Sequence, residues 1–310
     1  MLISFIITAY NASSTISATL ESIASVEKPA WLDVEAIVVD DGSADSDKLE
    51  TIINQYRFSK IVSHPSNNGM CAARNTGIIN SKGDFITILD ADDTLVPDWP
   101  ETFGQILAEW PHKIDICFSA CVNEKGFSTV SRPDYSGIIT LSDILNERYS
   151  GEYMPIFRAK FVQKNLYIDI GTRKSCGILS YINFAISGPF WVTPLVLRIY
   201  HENQIGSVTS SWARSDKALE TVACYKELFT RFGELYQKNA PTVWHTKQLR
   251  MSVYLKLSGS KGAWRMWLNG ASFRCLKETL GALLILFLGA RRGARIVTWL
   301  REIGLIRRYG

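Results

Sequence analysis

The sequence predicts an α/β protein in which a mixed, mainly parallel sheet is flanked by helices and followed by a helical C-terminal extension. Apolar strand-like runs alternate with helical segments over the first 125 residues, which is the pattern of a parallel sheet wrapped by helices. Two of these runs, 34–40 and 85–90, end in aspartates. From about residue 215 the pattern is helical to the end.

The predicted elements follow one another closely along the first part of the chain. The first predicted helix carries the apolar residues Ile16, Leu20 and Ile23 on one face. Strands are predicted at 2–8, 34–40, 60–63, 85–90 and 114–122, and helices at 14–26, 46–57 and 70–80. Pro97 and Pro100 mark the start of another helix.

Carboxylates stand at the ends of two predicted strands. Asp40 and Asp41 end the first of them, and the second ends in the segment Asp90-Ala91-Asp92-Asp93. In open α/β sheets, ligands bind outside the carboxyl ends of the strands. Carboxylates with pKa values of about 4 are charged at pH 7 and repel one another unless a cation lies among them. A divalent metal ion that carries a phosphorylated small molecule meets both conditions, which indicates nucleotide chemistry.

Four sequence blocks carry a resemblance to a known family. They are IITAYNASSTISATLESI (6–23), AIVVDDGSAD (36–45), NNGMCAARNTGIINSKGDFITILDADD (67–93) and LVPDW (95–99). In their order and spacing they resemble the family 2 glycosyltransferases, which have the GT-A fold. The resemblance implies inverting transfer of a sugar from a UDP- or GDP-sugar to a saccharide or lipid-linked oligosaccharide acceptor in surface-polysaccharide biosynthesis. A dinucleotide-binding dehydrogenase is disfavoured, because no G-x-G-x-x-G follows the first strand.

The resemblance also suggests how the chain is divided. Residues 1–215 are expected to form the glycosyltransferase domain, with a nucleotide-sugar-binding half at 1–125 and an acceptor half at 126–215. Residues 216–310 are expected to form a helical extension that is both basic and apolar.

The donor pocket is expected around the first strand ends. Tyr10 offers an aromatic face for stacking on the base, a contact worth about 1–3 kcal/mol. Thr8 is expected to hydrogen-bond the base or ribose together with the Asp40–Asp41 pair. Arg74 is expected to reach the diphosphate or the base side of the pocket. By the resemblance, the pocket comprises Thr8, Tyr10, Asn11, Asp40, Asp41, Arg74, Asp90 and Ala91, with His201 near the diphosphate.

Each of these residues also has a plainer interpretation. Tyr10 is alternatively a surface turn residue, and Asp41-Gly42-Ser43 is alternatively a turn and a helix cap. Arg74 is alternatively a solvated helix residue, and His201 is alternatively structural.

Asp90 and Asp92 form a D-x-D sequence that suits a metal ion. Carboxylate oxygens select Mg²⁺ or Mn²⁺. By the resemblance, the metal joins these carboxylates to the diphosphate and neutralises charge on the departing nucleoside diphosphate. The alternative, an acidic capping loop before the Pro97 helix, explains three neighbouring aspartates poorly.

Inverting transfer also needs a base that takes the proton of the acceptor hydroxyl. The family usually supplies this base from a Glu-Asp pair, whereas the corresponding segment here, 173–184, contains no carboxylate. Asp169 is the first candidate for the role and Glu202 the second, and a residue of another loop, such as Glu152, is a further source. The missing pair leaves a second function open, that of a catalytically impaired nucleotide-sugar-binding or assembly subunit with the same fold.

The last fifty residues combine basic and apolar character. Residues 261–310 contain ten basic and two acidic residues, a net charge of +8 that leaves −4 for residues 1–260. The apolar run TLGALLILFLGA (279–290) is shorter than the roughly 20 residues that a membrane-spanning helix needs. This combination favours contact with the headgroups of an anionic membrane. One alternative is packing of this segment on the catalytic domain. Binding of nucleic acid is another, but the interleaved aliphatic residues disfavour it.

Two further features bear on the expected location. The chain opens with the apolar run MLISFIITAY and no basic region, which predicts a core strand and not a signal peptide. Its six cysteines lack paired spacing, which predicts reduced thiols. Together with the basic tail, these features predict a cytoplasmic protein held peripherally on the inner face of the cell membrane.

Overall fold

The computed structural model describes residues 1–173, 176–201 and 215–302. The chain divides into two compact units. The first comprises Met1–Leu141 and Tyr149–Gln204, and the second comprises Ser142–Arg148 and Ile205–Gly310. The assignment of donor and acceptor halves stays a prediction.

The nine strands found among the described residues form one mixed sheet. Their bounds are β1 Leu2–Ala9, β2 Asp33–Asp40, β3 Ser59–Ser63, β4 Phe85–Asp90, β5 Thr94–Leu95, β6 Ile116–Asn123, β7 Gly137–Ile139, β8 Tyr153–Arg158 and β9 Phe190–Tyr200. The strand order is β3-β2-β1-β4-β8-β6-β9-β5, with β7 paired to β9. The first four strands are parallel, as are β6 and β9, and β8 joins the two groups by antiparallel pairing. The predicted mixed α/β fold is therefore confirmed.

Helices connect the strands and cover the sheet. Their bounds up to residue 201 are α1 Ile16–Ala24, α2 Ser46–Ile53, α3 Met70–Asn80, α4 Trp99–Glu109, α5 Leu141–Leu145, α6 Ala159–Val162 and α7 Gly177–Ser187. The strands β1, β2 and β4 are mainly apolar because most of their residues are buried on both faces of the sheet. The Phe5 ring meets Trp99 of α4 edge-on at 5.4 Å. This packing fixes the strands whose ends form the site.

The second unit is helical over its described residues, as predicted for the C-terminal extension. Its helices are α8 Ser215–Asn239, α9 Pro241–Leu257, α10 Ala263–Gly270 and α11 Leu276–Glu302. Val222, Met251 and Leu286 pack in one buried cluster, which joins α8, α9 and α11. The helix α11 is interrupted at Gly289, whose φ of 77° lies in the left-handed region that favours glycine.

No helix among the described residues combines the length and the apolar character needed to span a bilayer. Four cysteines remain thiols and are buried, namely Cys71, Cys117, Cys121 and Cys275. Cys176 and Cys224 are disulfide-bonded, so the expectation of reduced thiols was wrong for these two. That expectation rested on spacing along the chain, which does not exclude a disulfide.

Candidate active site

The register of the sheet brings three strand ends to one edge. Thr8 of β1 pairs with Asp90 at the end of β4, and Ala9 pairs with Asp40 at the end of β2. Because these strands are parallel, their carboxyl ends and the loops after them share one edge of the sheet. Thr8, Asp40 and Asp90 therefore lie where open α/β sheets bind ligands.

Asp40 and Asp41 are buried and are bonded within the loops of this edge. Asp40 Oδ1 accepts a hydrogen bond from the Ser43 N–H at 3.0 Å. Asp41 Oδ1 lies 2.7 Å from His64 Nδ1, and its Oδ2 accepts from the Gly69 N–H at 2.9 Å. These bonds give both carboxylates a structural role, and their contacts with base and ribose stay predictions.

The loop after β1 exposes Tyr10 and holds Asn11 in a left-handed conformation. Tyr10 is 51% exposed, so its ring is accessible to a stacking partner. Asn11 has a φ of 54°, which asparagine tolerates better than most residues. Its Oδ1 accepts from the Ala44 N–H at 2.8 Å, and its own N–H donates to the Ser43 hydroxyl at 2.8 Å. These bonds tie the loop after β1 to the loop after β2 and thereby hold the backbone next to Tyr10 in place.

Asp90 lies between two arginines, of which Arg198 is buried and Arg74 is 12% exposed. Arg74 Nη2 of α3 is 3.4 Å from its Oδ1, and Arg198 Nη1 of β9 is 3.4 Å from its Oδ2. The Arg74 guanidinium also lies 5.5 Å from the ring centroid of Tyr167. Burial by itself lowers the pKa of Arg74, but Asp90 together with Tyr167, Tyr181 and Cys71 raises it above its usual value. Arg74 is therefore a cation of the site and not a solvated helix residue, while its contact with a diphosphate stays a prediction.

Arg198 gathers three carboxylates around one buried cation, and we call Arg198, Asp90, Asp93 and Glu152 the acidic cluster. Arg198 lies 3.2 Å from Asp93 Oδ2 and 3.3 Å from Glu152 Oε2. Its Nε donates to Cys121 Sγ at 3.3 Å. Burial lowers the pKa of Arg198, but the neighbouring thiol and carboxylates raise it well above its usual value. A cation this deeply buried is stable only with such partners.

The two aspartates that follow Asp90 have raised pKa values. Burial, followed by the charge of Asp90, raises the pKa of Asp92. Burial raises the pKa of Asp93 to about 8, despite the attraction of Arg198. Negative charge is therefore crowded at this turn.

The D-x-D segment is held in place by a hydrogen bond from α1. The Ala91 carbonyl accepts the Thr19 hydroxyl at 3.0 Å, so Ala91 is fixed by a bond to α1. Over residues 1–173, 176–201 and 215–302, no three His, Cys, Asp or Glu side chains form a metal-binding group. The carboxylates of Asp90 and Asp92 fit the smaller share that a protein contributes when substrate phosphates complete the coordination of Mg²⁺.

His201 is fixed through its backbone and both ring nitrogens. Its N–H donates to Asp93 Oδ1 at 3.0 Å. Its Nδ1 lies 2.9 Å from Glu124 Oε1, and its Nε2 lies 3.0 Å from Thr94 Oγ1. These bonds favour a structural role for His201 beside the acidic cluster, and its contact with a diphosphate stays a prediction.

The three candidate bases occupy different places. Asp169 is exposed, and its Oδ1 accepts the N–H of Gly171 in its own loop at 2.9 Å. Glu202 lies outside the described residues. Glu152, which directly precedes β8, belongs to the acidic cluster and keeps 34% of its side-chain surface exposed. Of the two described candidates, only Glu152 is brought to the acidic cluster.

Arg198 was not among the residues predicted from sequence, although its surroundings carry a signal. It is the one charged residue of β9, FWVTPLVLRIY. A charge in a buried strand must be paired, because an isolated buried ion is strongly disfavoured. The strand sequence therefore indicates a buried ion pair, but it does not identify the partners.

The fold and its D-x-D edge define the class of protein that the sequence resembles, a glycosyltransferase with the GT-A fold. Residues 4–171 match the family model described as Glycosyl transferase family 2. The chain therefore belongs to this family, and the match includes the strand-end aspartates, Arg74, Glu152 and Asp169 but not Arg198.

Curated relatives match part of the chain. An uncharacterized glycosyltransferase of Haemophilus influenzae is 31% identical over 175 residues, which cover 55% of this chain and 55% of the relative. A second uncharacterized glycosyltransferase from that organism is 36% identical over 99 residues, which cover 31% of this chain and 38% of the relative. The amylovoran biosynthesis glycosyltransferase AmsB of Erwinia amylovora is 38% identical over 95 residues, which cover 29% and 30%. The chain thus spans about a third to a half of the length of these relatives.

Solved structures share the fold over most of the chain. The crystal structure of S. aureus TarS 1-349 superposes with a TM-score of 0.60 at 18% identity, covering 91% of this chain and 81% of that one. The complex of TarS 1-349 with UDP-GlcNAc gives a TM-score of 0.59 at 16% identity, covering 91% and 90%. At this identity the likeness establishes the fold alone.

Proposed function

We propose that this protein transfers a sugar from a UDP- or GDP-sugar to a saccharide acceptor, with inversion at the anomeric carbon. The observation that carries the proposal is the position of Asp90, which lies beside Thr8 at the sheet edge and between Arg74 and Arg198. Cationic side chains at this edge suit a diphosphate. The TarS complex with UDP-GlcNAc supports a nucleotide-sugar donor on this fold.

The donor is proposed to bind with Mg²⁺ or Mn²⁺ at Asp90 and Asp92. The raised pKa of Asp92, which burial and then Asp90 cause, means that a second negative charge is disfavoured there unless a cation is bound. When bound, the metal supplies positive charge to the leaving diphosphate. Tyr10 is proposed to stack on the base, and Arg74 to face the diphosphate.

Glu152 is proposed to accept the proton of the acceptor hydroxyl. Its carboxylate is oriented by Arg198 at 3.3 Å and is partly exposed, so an acceptor has access to it. Asp93 is only 1% exposed and faces Arg198, so an acceptor hydroxyl has no access to its carboxylate. Asp169 and Glu202 remain the alternatives that the sequence suggested.

The acceptor is proposed to be a lipid-linked oligosaccharide used in surface-polysaccharide synthesis. The names of two partial relatives, an amylovoran biosynthesis glycosyltransferase and a succinoglycan biosynthesis protein, support this class of product. The basic and apolar C-terminal segment supports a peripheral position on the inner face of the membrane, where such acceptors are accessible.

Turnover of labelled UDP- and GDP-sugars, with and without Mn²⁺, tests this function. Loss of a general base lowers turnover by about 10²–10⁴-fold. Glu152→Gln is therefore expected to lose turnover while it keeps donor binding, whereas Asp169→Asn and Glu202→Gln are expected to keep both.

Other outcomes separate the alternatives. Near-native turnover in Glu152→Gln would exclude Glu152 as the base. Donor binding without turnover in the unmodified protein would replace the proposal with a nucleotide-sugar-binding subunit. The absence of binding to any nucleotide-sugar would contradict the donor site itself.

A further inference from the structure

The helices α10 and α11, with the turn between them, expose seven large apolar side chains. These are Trp264, Leu268, Phe273, Leu276, Leu280, Leu284 and Phe287, each between 43% and 95% exposed. We call this set the apolar face. Single exposed apolar residues are ordinary on proteins, but a cluster of this size marks an interaction surface.

Helical spacing and one ring contact bring most of these side chains together. Leu276, Leu280, Leu284 and Phe287 follow one another at intervals of four, four and three residues, which places them on one side of α11. The Phe287 ring lies edge-on to Trp264 of α10 at 5.1 Å. The apolar face therefore extends across both helices.

The apolar face is not the side on which α11 packs in the second unit. Thr279, Ala282 and Leu286 of α11 are buried, and Ala282 and Leu286 belong to clusters with residues of α9. These positions also follow helical spacing, but on another side of the helix. The helix thus has one apolar side in the protein interior and a second one that is exposed.

Basic side chains surround the apolar face in sequence. Those described as exposed are Lys261, Arg265, Arg274, Lys277, Arg292 and Arg295. Among the side chains described from 261 to 296, Glu278 is the one carboxylate. The interruption at Gly289 separates the apolar part of α11 from Arg292 and Arg295. An apolar surface with a cationic rim complements an anionic lipid surface.

We propose that the apolar face inserts into the headgroup region of an anionic bilayer, with α11 lying along the membrane plane. Interfacial helices bury one apolar side at the boundary of headgroups and acyl chains while basic side chains contact anionic lipids. A second copy of the chain is a poorer partner, because a two-fold interface would bring two cationic rims together. The inference names the side chains that would hold the protein at the membrane. It rests on the proposed function only where it connects this position to a lipid-linked acceptor.

Vesicle binding by the full chain tests the proposal. The protein is expected to float with mixed phosphatidylglycerol–phosphatidylcholine vesicles, to bind phosphatidylcholine alone weakly, and to be released by salt. Leu280→Glu and Leu284→Glu are each expected to weaken binding by about tenfold or more, because they remove inserted apolar surface. Lys277→Gln is expected to weaken it by about fivefold.

A matched control separates insertion from a general effect of added charge. Leu219 of α8 is 50% exposed, close to the 52% of Leu284, so Leu219→Glu is expected to leave vesicle binding unchanged. Lipids brominated in the acyl chain provide a readout that needs no disruptive variant. They are expected to quench fluorescence in the unmodified protein more than in Trp264→Phe.

Several results would overturn the proposal. They are equal binding of the Leu284→Glu and unmodified proteins, equal binding to neutral and anionic vesicles, and a dimer without vesicle binding that Leu280→Glu dissociates. UDP-sugar binding measured on the same samples keeps the two proposals distinct. If the unmodified protein binds donor but not vesicles, the proposal for the apolar face is contradicted and the proposed function is not. If the unmodified protein binds no donor, only the proposed function is contradicted.

Discussion

Arg198 Nη1 lies 3.2 Å from Asp93 Oδ2, and the two side chains are only 4% and 1% exposed. Replacing Arg198 by methionine would leave Asp93 buried beside Asp90 without the shared cation. Removing one partner of a buried pair typically costs about 3–5 kcal/mol, and we expect a loss of this size in the free energy of unfolding at pH values above about 8, where Asp93 is ionised. Urea denaturation measures it.

An ion pair whose arginine is exposed supplies the control for Arg198→Met. Arg148 is 59% exposed and lies 2.9 Å from Asp143, so Arg148→Met is expected to change stability by only about 0–1 kcal/mol. Equal losses in the two variants would show that Arg198 is not a buried structural cation.

Asp93→Asn is expected to change how stability depends on pH. The pKa of Asp93 is raised by burial from 3.8 to about 8, so between these values the folded state holds a proton that the unfolded state has lost. Stability of the unmodified protein therefore falls as pH rises through this window. The variant lacks this titration, and its stability relative to the unmodified protein is expected to rise by at most about 1.4 kcal/mol for each pH unit.

Urea midpoints across this pH window measure the effect of Asp93→Asn. Asp33→Asn, at an exposed position, is the control and is expected to follow the unmodified protein. A difference between Asp93→Asn and the unmodified protein that stays constant across the window would contradict the raised pKa.

Asp92→Asn is expected to abolish Mn²⁺- or Mg²⁺-dependent donor binding and to leave the fold intact. The substitution removes a charge that the metal requires, at a position where burial, followed by Asp90, already raises the pKa of the carboxyl group. Calorimetry with UDP and GDP provides the measurement. Glu50→Gln, on the exposed side of α2, should bind normally, and unchanged metal-dependent affinity in Asp92→Asn would remove this residue from the site.

Glu147→Gln is expected to destabilise the second unit. Glu147 Oε1 lies 2.6 Å from Lys247 Nζ and 3.2 Å from Arg250 Nη1. Burial raises the pKa of Glu147, but the two cations outweigh burial and lower it, so its stabilisation is present at neutral pH and is lost as the pH falls through the lowered value. The variant leaves Lys247 buried without an anion, which typically costs about 3–5 kcal/mol.

Thermal unfolding at neutral pH measures the effect of Glu147→Gln. The control is Glu227→Gln, because Glu227 and Arg231 form an exposed pair at 2.8 Å that contributes about 0–1 kcal/mol. A melting temperature as high as that of the control variant would contradict the structural role of Glu147.

Local patterns in the sequence were sufficient for the first half of the sheet and for the acidic strand ends. The runs predicted at 34–40 and 85–90 are β2 and β4, at Asp33–Asp40 and Phe85–Asp90. A strand and the turn after it depend mainly on residues close together in the chain, so their composition reveals them. Parallel order then places Asp40 and Asp90 at one edge, and the family follows from the blocks that contain them.

Only the tertiary structure decided which partners these carboxylates have. Arg198 reaches Asp90 and Glu152 because β8 pairs with both β4 and β6, while β9 pairs with β6. The bonding of Asp41 to His64 and the outward direction of the apolar side of α11 were likewise decided by packing. Strand order and helix packing depend on contacts between distant segments, whose energies no local pattern contains. Sequence periodicity therefore identified the charged and apolar residues of this protein, and long-range packing determined which of them meet.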